Sequence, residues 1–250
     1  MNKILISRDK VLYDNSKINI CDNNIYILED GLFSVEYVDI DKVQYCFNVS
    51  NLNDVILLES SFANDIEVNN KYIVDNSNLI VNKFYNNKMV IENIDILLYN
   101  HGKIDYKFSN ICENKEDYVI NIYHNGIGTV SNIINKSLAI DGSKLDFVIN
   151  SIVPKEYIKS VLNQNTRIVT IGDTDCKISP NMYIDCDDVE AKHGSVIGTF
   201  KDEMLFYLMS RGINYNDSVK LLVKGYLFSN LDVNGEIKDK IFNVIDKYWR

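Results

Sequence analysis

The chain has 250 residues, 46% of them hydrophobic, with a formal net charge of -9 and a pI near 4.9. That length permits one full domain with a small appendage, and its acidic balance, with Lys and Arg dispersed among Asp and Glu, excludes a nucleic-acid groove as the main function. The five cysteines, Cys21, Cys46, Cys112, Cys176 and Cys186, are odd in number and far apart, with no CxxC pair; they are expected to be reduced, as in a cytosolic protein.

In chain order, the N-terminus offers only the apolar run Ile4-Leu5-Ile6 before Ser7 and Arg8, too little for a signal peptide. No window reaches the roughly 18 apolar residues of a membrane span, so a cytoplasmic protein without a membrane partner is expected. From about Ile18 to Thr199, short runs rich in Ile, Val, Tyr and Phe are punctuated by Asn, Asp, Gly and Ser, which predicts strands separated by turns. Phe33, Val35 and Tyr37 alternate with polar residues, and Met89–Tyr99, Tyr118–His124 and Leu145–Val153 read as further strands, with turn signals at Asn86-Asn87, His101-Gly102 and Asp141-Gly142. Periodicity alone leaves sandwich, barrel and solenoid open. Asn-rich turns at roughly 20-residue spacing point toward a β-solenoid whose corner asparagines stack, although a chain so rich in Asn, Ile, Lys and Tyr would also place Asn there by bias.

After Thr199 the pattern becomes helical. Lys201–Ser210 has Asp202 as candidate N-cap and Gly212 as candidate stop. Val219, Leu222, Val223 and Tyr226 share one helical face, and Ile237, Ile241, Ile245 and Tyr248 repeat the pattern beyond the link Val233-Asn234-Gly235. The expected organisation is a β-body over 1–199 and a helical appendage over 200–250. Leu205, Phe206, Tyr207 and Leu208 are adjacent and therefore spread around the helix, so one buried face cannot take them all.

The segment Pro180–Gly198 gathers Cys186, Asp185, Asp187, Asp188, Glu190 and His193. On one unbroken strand Cys186, Asp188 and Glu190 would share a face with His193 opposite, so a bend is required before they could meet at a metal. A solvated acidic edge beside a hydrogen-bonded histidine stays open. His124, next to Asn125-Gly126-Ile127-Gly128, is expected to bond a corner. Its glycines lack the strand-to-helix context and Lys of a phosphate loop. His101 is expected to be exposed.

Pro180, Asp187, Asp188, Val189, His193, Gly194 and Gly198, followed without a gap by Leu205-Phe206-Tyr207-Leu208, Ser210-Arg211-Gly212-Ile213, Leu221-Leu222 and Gly225-Tyr226, resemble the C-terminal signature of the SufB/SufD family, in its SufD-like form. Weaker similarity reaches back through Tyr123-His124, Ser131 and Lys136–Val153, so the resemblance covers about residues 118 to 230. It implies a right-handed parallel β-helix with C-terminal helices that dock a SufC-type ATPase, paired with a second SufB/SufD-type β-helix or with itself, as a scaffold for iron–sulfur cluster assembly. Family members are usually longer, with an N-terminal helical region, so a reduced version is expected.

The resemblance further implies His193 as a transient iron ligand facing the paired chain, with Cys186 and Cys176 as further candidate thiolates, since sulfur and nitrogen ligands suit Fe–S chemistry. No permanently bound cofactor is expected. The ATPase-facing residues it implies are Leu205, Phe206, Tyr207, Arg211, Gly212 and Tyr226. The sulfur-transfer cysteine of SufB members would fall near Thr166, where this chain has none, and the Cys that often stands two residues before the SufD histidine is Ala191 here. The chain has no Walker A motif, and a scaffold rather than an enzyme is expected. Two rivals stay open. One is a β-helix carbohydrate enzyme using Asp185, Asp187 and Asp188. The other is a purely structural SufC-binding subunit.

Overall fold

Strands that alternate apolar and polar residues have one face to bury, and here two parallel sheets turn those faces toward each other. The computed structural model describes residues 2–8, 11–13, 17–62, 65–233 and 235–248. The chain winds through β1 (Asn2–Ser7), β2 (Val11–Tyr13), β3 (Ile18–Cys21), β4 (Asn24–Ile27), β5 (Gly31–Val38), β6 (Lys42–Val43), β7 (Cys46–Ser50), β8 (Val55–Ser61) and β9 (Asp65–Asp75). It continues through β10 (Asn78–Tyr85), β11 (Met89–Tyr99), β12 (Lys103–Cys112), β13 (Lys115–His124), β14 (Val130–Ile140), β15 (Lys144–Val153), β16 (Ser160–Ile171), β17 (Asp175–Ile184) and β18 (Val189–Gly198). Sheet A has the order β18-β16-β14-β12-β10-β8-β5-β1-β2 and sheet B the order β17-β15-β13-β11-β9-β7-β4-β3, with β6 on β9.

Successive turns therefore stack as rungs of a parallel β-solenoid, the fold that the resemblance implies. The run of strands starts earlier than Ile18, within the 1–199 expected for the body: β1 already pairs in parallel with β5. The repeat is also longer than the expected spacing. It is 24 residues between Val55 and its partner Leu79 and 31 between Ser131 and Leu162, because the corners lengthen while the strands keep register.

In-register stacking brings like residues together. Phe47 stacks on Tyr72 at 5.4 Å and Tyr118 on Phe147 at 4.8 Å between ring centroids, each pair in register in sheet B. On the outer face of sheet B the Asn121 amide donates to Asp95 (3.0 Å), Asn150 to Asn121 (2.8 Å) and Asn181 to Asn150 (2.9 Å). On sheet A Asn132 donates to Asp105 and Asn163 to Asn132, both at 2.8 Å. Corner asparagines stack as well, Asn76 donating to Asn51 at 3.0 Å, but the longer ladders lie on strands. The glycines near His124 serve rung packing: a Cβ on Gly126 would fall 2.2 Å from the backbone nitrogen of Asn100.

The lumen is mostly Ile, Val, Phe and Tyr, with charged groups sealed among them. Lys83 is fully buried and sits 2.5 Å from Glu92 and 3.8 Å from Glu59. Glu59 also accepts from Tyr37 at 3.0 Å and from Tyr72. Further along, Glu116 accepts from Tyr118 at 2.7 Å and from Asn110, and burial pushes its carboxyl up to about 8. His124 is fully buried, Nδ1 2.7 Å from Thr129 Oγ1 and Nε2 3.0 Å from Ser131 Oγ, and burial lowers it to about 4.

Three helices follow: α1 (Asp202–Ser210), α2 (Tyr215–Phe228) and α3 (Gly235–Tyr248). Lys201, rather than Asp202, is the N-cap of α1, without a side-chain bond; Asp202 is its first helical residue. Gly212, at φ +85°, ends α1. Its N–H reaches the Met209 carbonyl and that of Ile213 the Leu208 carbonyl, a Schellman closure. Asn214 caps α2 by accepting from the Asp217 N–H at 2.9 Å. Val219, Val223, Tyr226 and Leu227 of α2 and Ile237, Ile241 and Ile245 of α3 pack on Leu58, Phe84, Ile111, Leu138 and Val169 of sheet A. The appendage thus shares a core with the body. Asn234, in the link before α3, lies outside the described residues.

Gly126→Ala is expected to lower stability by about 1–3 kcal/mol in urea unfolding, the cost of overpacking against backbone. His124 and Glu116 are expected to give pH profiles of opposite sign. The unfolded chain protonates His124 below 6.5 while the fold resists until about 4, so its contribution is complete above 6.5 and is lost as pH falls through that window. Comparing His124→Gln with the parent chain by thermal melts should remove up to about 3 kcal/mol of that slope. Glu116 is raised from 4.5, so its contribution is complete below 4.5 and is lost as pH rises toward about 8. Glu116→Gln should melt higher than the parent at pH 8 and equal to it at pH 4.

Candidate functional site

The two ends of the solenoid differ. At the N-terminal end the antiparallel strands β2 and β3 turn back on β1 and β4. At the other end β18 is the last strand of sheet A and β17 the last of sheet B, each paired on one side only. Eight of the ten residues of β18 are exposed, Val196 and Ile197 among them, and so is Tyr183 of β17. An open, partly apolar edge of this kind is a template for pairing with another strand.

His193 sits at that open end. On β16 the buried residues Leu162, Gln164 and Thr166 face the lumen, and their register partners on β18 are Ala191, His193 and Ser195. His193 therefore takes a lumen-side position with no rung above it, which leaves it exposed. The floor beneath is polar. Gln164 donates from Nε2 to Ser151 Oγ at 2.7 Å and to the Asn181 carbonyl at 3.2 Å. Asn135 donates to Thr166 Oγ1 at 3.0 Å.

The bend that a shared metal would require is present: residues 185–188 form the corner between β17 and β18, where the Asp188 carbonyl accepts from the Lys159 N–H at 2.7 Å. Asp185, Asp187 and Asp188 are exposed in this corner and Cys186 is half-buried. His193 is four residues into β18, about 13 Å along the strand from Val189. Cys176 is at the opposite corner, the second residue of β17, packed on the lumen core, its thiol pushed up by burial. The bend thus does not gather the candidate ligands: His193 lies midway between two cysteines at opposite corners. Among the described residues no three His, Cys, Asp or Glu side chains are grouped to hold a metal.

Helix α1 leaves this end directly after β18. It contains no buried residue; Phe206 is 75% and Tyr207 58% exposed, and Met204 and Met209 are also exposed. Leu205, half-buried, packs toward the shared core. The guanidinium of Arg211 lies 5.4 Å from the Tyr207 ring, a stacking contact rather than a cap on helix carbonyls. Tyr226, by contrast, is 9% exposed and donates its hydroxyl to the Arg167 carbonyl at 2.6 Å, so its bulk belongs to the core. With Phe200, Met204 and Leu222 it floors a groove of about 260 Å³ between α1 and α2. Gly212 acts through its left-handed turn, which aims α2 back onto sheet A.

Residues 65–226 match the family model described as "SUF system FeS cluster assembly, SufBD core domain". That match begins well before residue 118, where the motif resemblance fades. The chain is 28% identical over 141 residues to the iron–sulfur cluster assembly protein SufD of Bacillus subtilis, covering 54% of this chain and 32% of that protein. It is 36% identical over 64 residues to SufD of Escherichia coli (26% and 15%) and 46% identical over 63 residues to a SufBD family protein of Mycobacterium leprae (25% and 14%). The matches span a third or less of those proteins' lengths. No described helix is long and apolar enough to cross a membrane.

Proposed function

The chain belongs to the SufBD family, and we propose that it is a cytoplasmic scaffold subunit on which an iron–sulfur cluster is assembled, driven by a SufC-type ATPase docked on its C-terminal helices. The observation that carries this reading is α1, a helix with no buried residue that holds Phe206, Tyr207, Met204 and Met209 in water and whose Met204 lines an apolar groove. Exposed aromatics are among the side chains that dominate protein interfaces. Arg211, stacked on Tyr207, adds a charged contact at the same place.

The free edges of β17 and β18 support pairing with a second solenoid, a copy of this chain or a SufB/SufD paralogue, by strand addition. His193 would then face the paired chain. In this reading the nascent cluster is cargo, and the imidazole lends a nitrogen ligand while the partner completes the set. The wide separation of Cys176, Cys186 and His193 favours a second reading, a SufC-binding subunit that contributes no ligand.

Anaerobic co-purification with the SufC-type ATPase of its own organism tests the proposal. A stable complex that raises ATPase activity is expected, and Phe206→Ala should weaken it by roughly thirtyfold or more, the size of an interface anchor, without lowering the melting temperature. Failure to bind at micromolar concentration overturns the docking reading. His193→Ala should leave the complex intact while reducing iron and sulfide in it and cluster supply in cells. Unchanged supply would leave the purely structural subunit.

A further inference from the structure

The polar floor under His193 contains one acceptor that the fold leaves unused. Gln164 is 2% exposed, and its Nε2 is committed to Ser151 and the Asn181 carbonyl, yet its Oε1 is buried without a partner. Orphaned buried acceptors cost stability and are uncommon in native folds. In its own column Gln164 has Ile133 on one side and His193 on the other. Ile133 has nothing to donate. An imidazole always has at least one N–H.

We propose that Gln164 is a positioning residue for His193: a turn of the exposed ring brings one ring nitrogen to Oε1, unbonded in this structure, and the hydrogen bond it donates there fixes the tautomer and turns the lone pair of the other nitrogen outward over the open end. The inference rests on the reading of His193 as a ligand-bearing residue. It supplies what an exposed histidine at an unfinished rung otherwise lacks. Metal-binding imidazoles are held in this way by a hydrogen bond on the second nitrogen. The amide is itself held, since both of its Nε2 contacts lie across the lumen on β15 and β17, so Oε1 is fixed in place before the imidazole meets it. Among lumen-facing positions of β15 to β18, only His193 and Cys176 titrate; Glu190 and Lys192 take the outer face of β18, Arg167 that of β16, and Asp175 and Lys177 that of β17.

The tautomer can be read without iron, from long-range proton–nitrogen couplings of the full chain labelled with ¹⁵N-histidine, at a pH above imidazole titration. The chain has three histidines, and His193→Asn assigns the signal. His193 is expected in one dominant tautomer, and Gln164→Met should shift the ratio about fivefold, the worth of one hydrogen bond. If the methionine variant does not fold, Gln164→Thr, too short to reach the next rung, makes the same comparison. A tautomer ratio indifferent to all of these substitutions overturns the proposal. A ratio that depends on Gln164, together with harmless His193→Ala in cells, would leave the positioning intact and remove the ligand reading instead.

Discussion

Parallel in-register pairing sets each residue about 4.8 Å above its counterpart on the previous rung, and nearly every other feature follows from that repetition. It converts single side chains into columns. Aromatic residues in the lumen meet face to face, as Tyr118 does on Phe147, and asparagines on the outer surface pass hydrogen bonds from rung to rung. The same rule makes a misplaced charge expensive, since it would be repeated against a neighbour. Glu59, Lys83 and Glu92 are tolerated because they come from adjacent rungs and the two sheets and compensate one another.

A repeated structure has to end somewhere, and the two ends are handled differently. Near the N-terminus antiparallel strands break the repeat. Beyond β18 the chain leaves the solenoid for α1, and the terminal ladder keeps its unpaired edge. The position of His193 gains its meaning from this. One rung deeper, at Gln164, the same column is sealed; on β18 it faces out.

Much of this was legible in the amino-acid order. The strand from Met89 to Tyr99 has the predicted bounds, and the helical faces built on Val219 and Ile237 are those that are buried. The first strands are short and separated by segments rich in Asp, Asn and Lys, so alternation never persists long enough to register. Rung length is not legible in the sequence, because corners, unlike strands, have no fixed period. The buried charges and Gln164 carried no signal at all. A polar residue at an inward position looks in sequence like a break in the pattern, and only its register partner says what it meets. Tyr226 shows the opposite limit: its place in a motif marked it as a contact for a partner, whereas the fold spends most of it on packing.

The cluster beneath α2 and α3 takes one residue from each of five successive strands of sheet A: Leu58, Phe84, Ile111, Leu138 and Val169. Solenoids whose turns touch only their neighbours tend to come apart turn by turn. A helical pair laid across five of them acts as a splint. Strain on one turn is shared among those five rather than borne by that turn alone. Any one of those turns therefore separates from the next only by also breaking its contact with the helices.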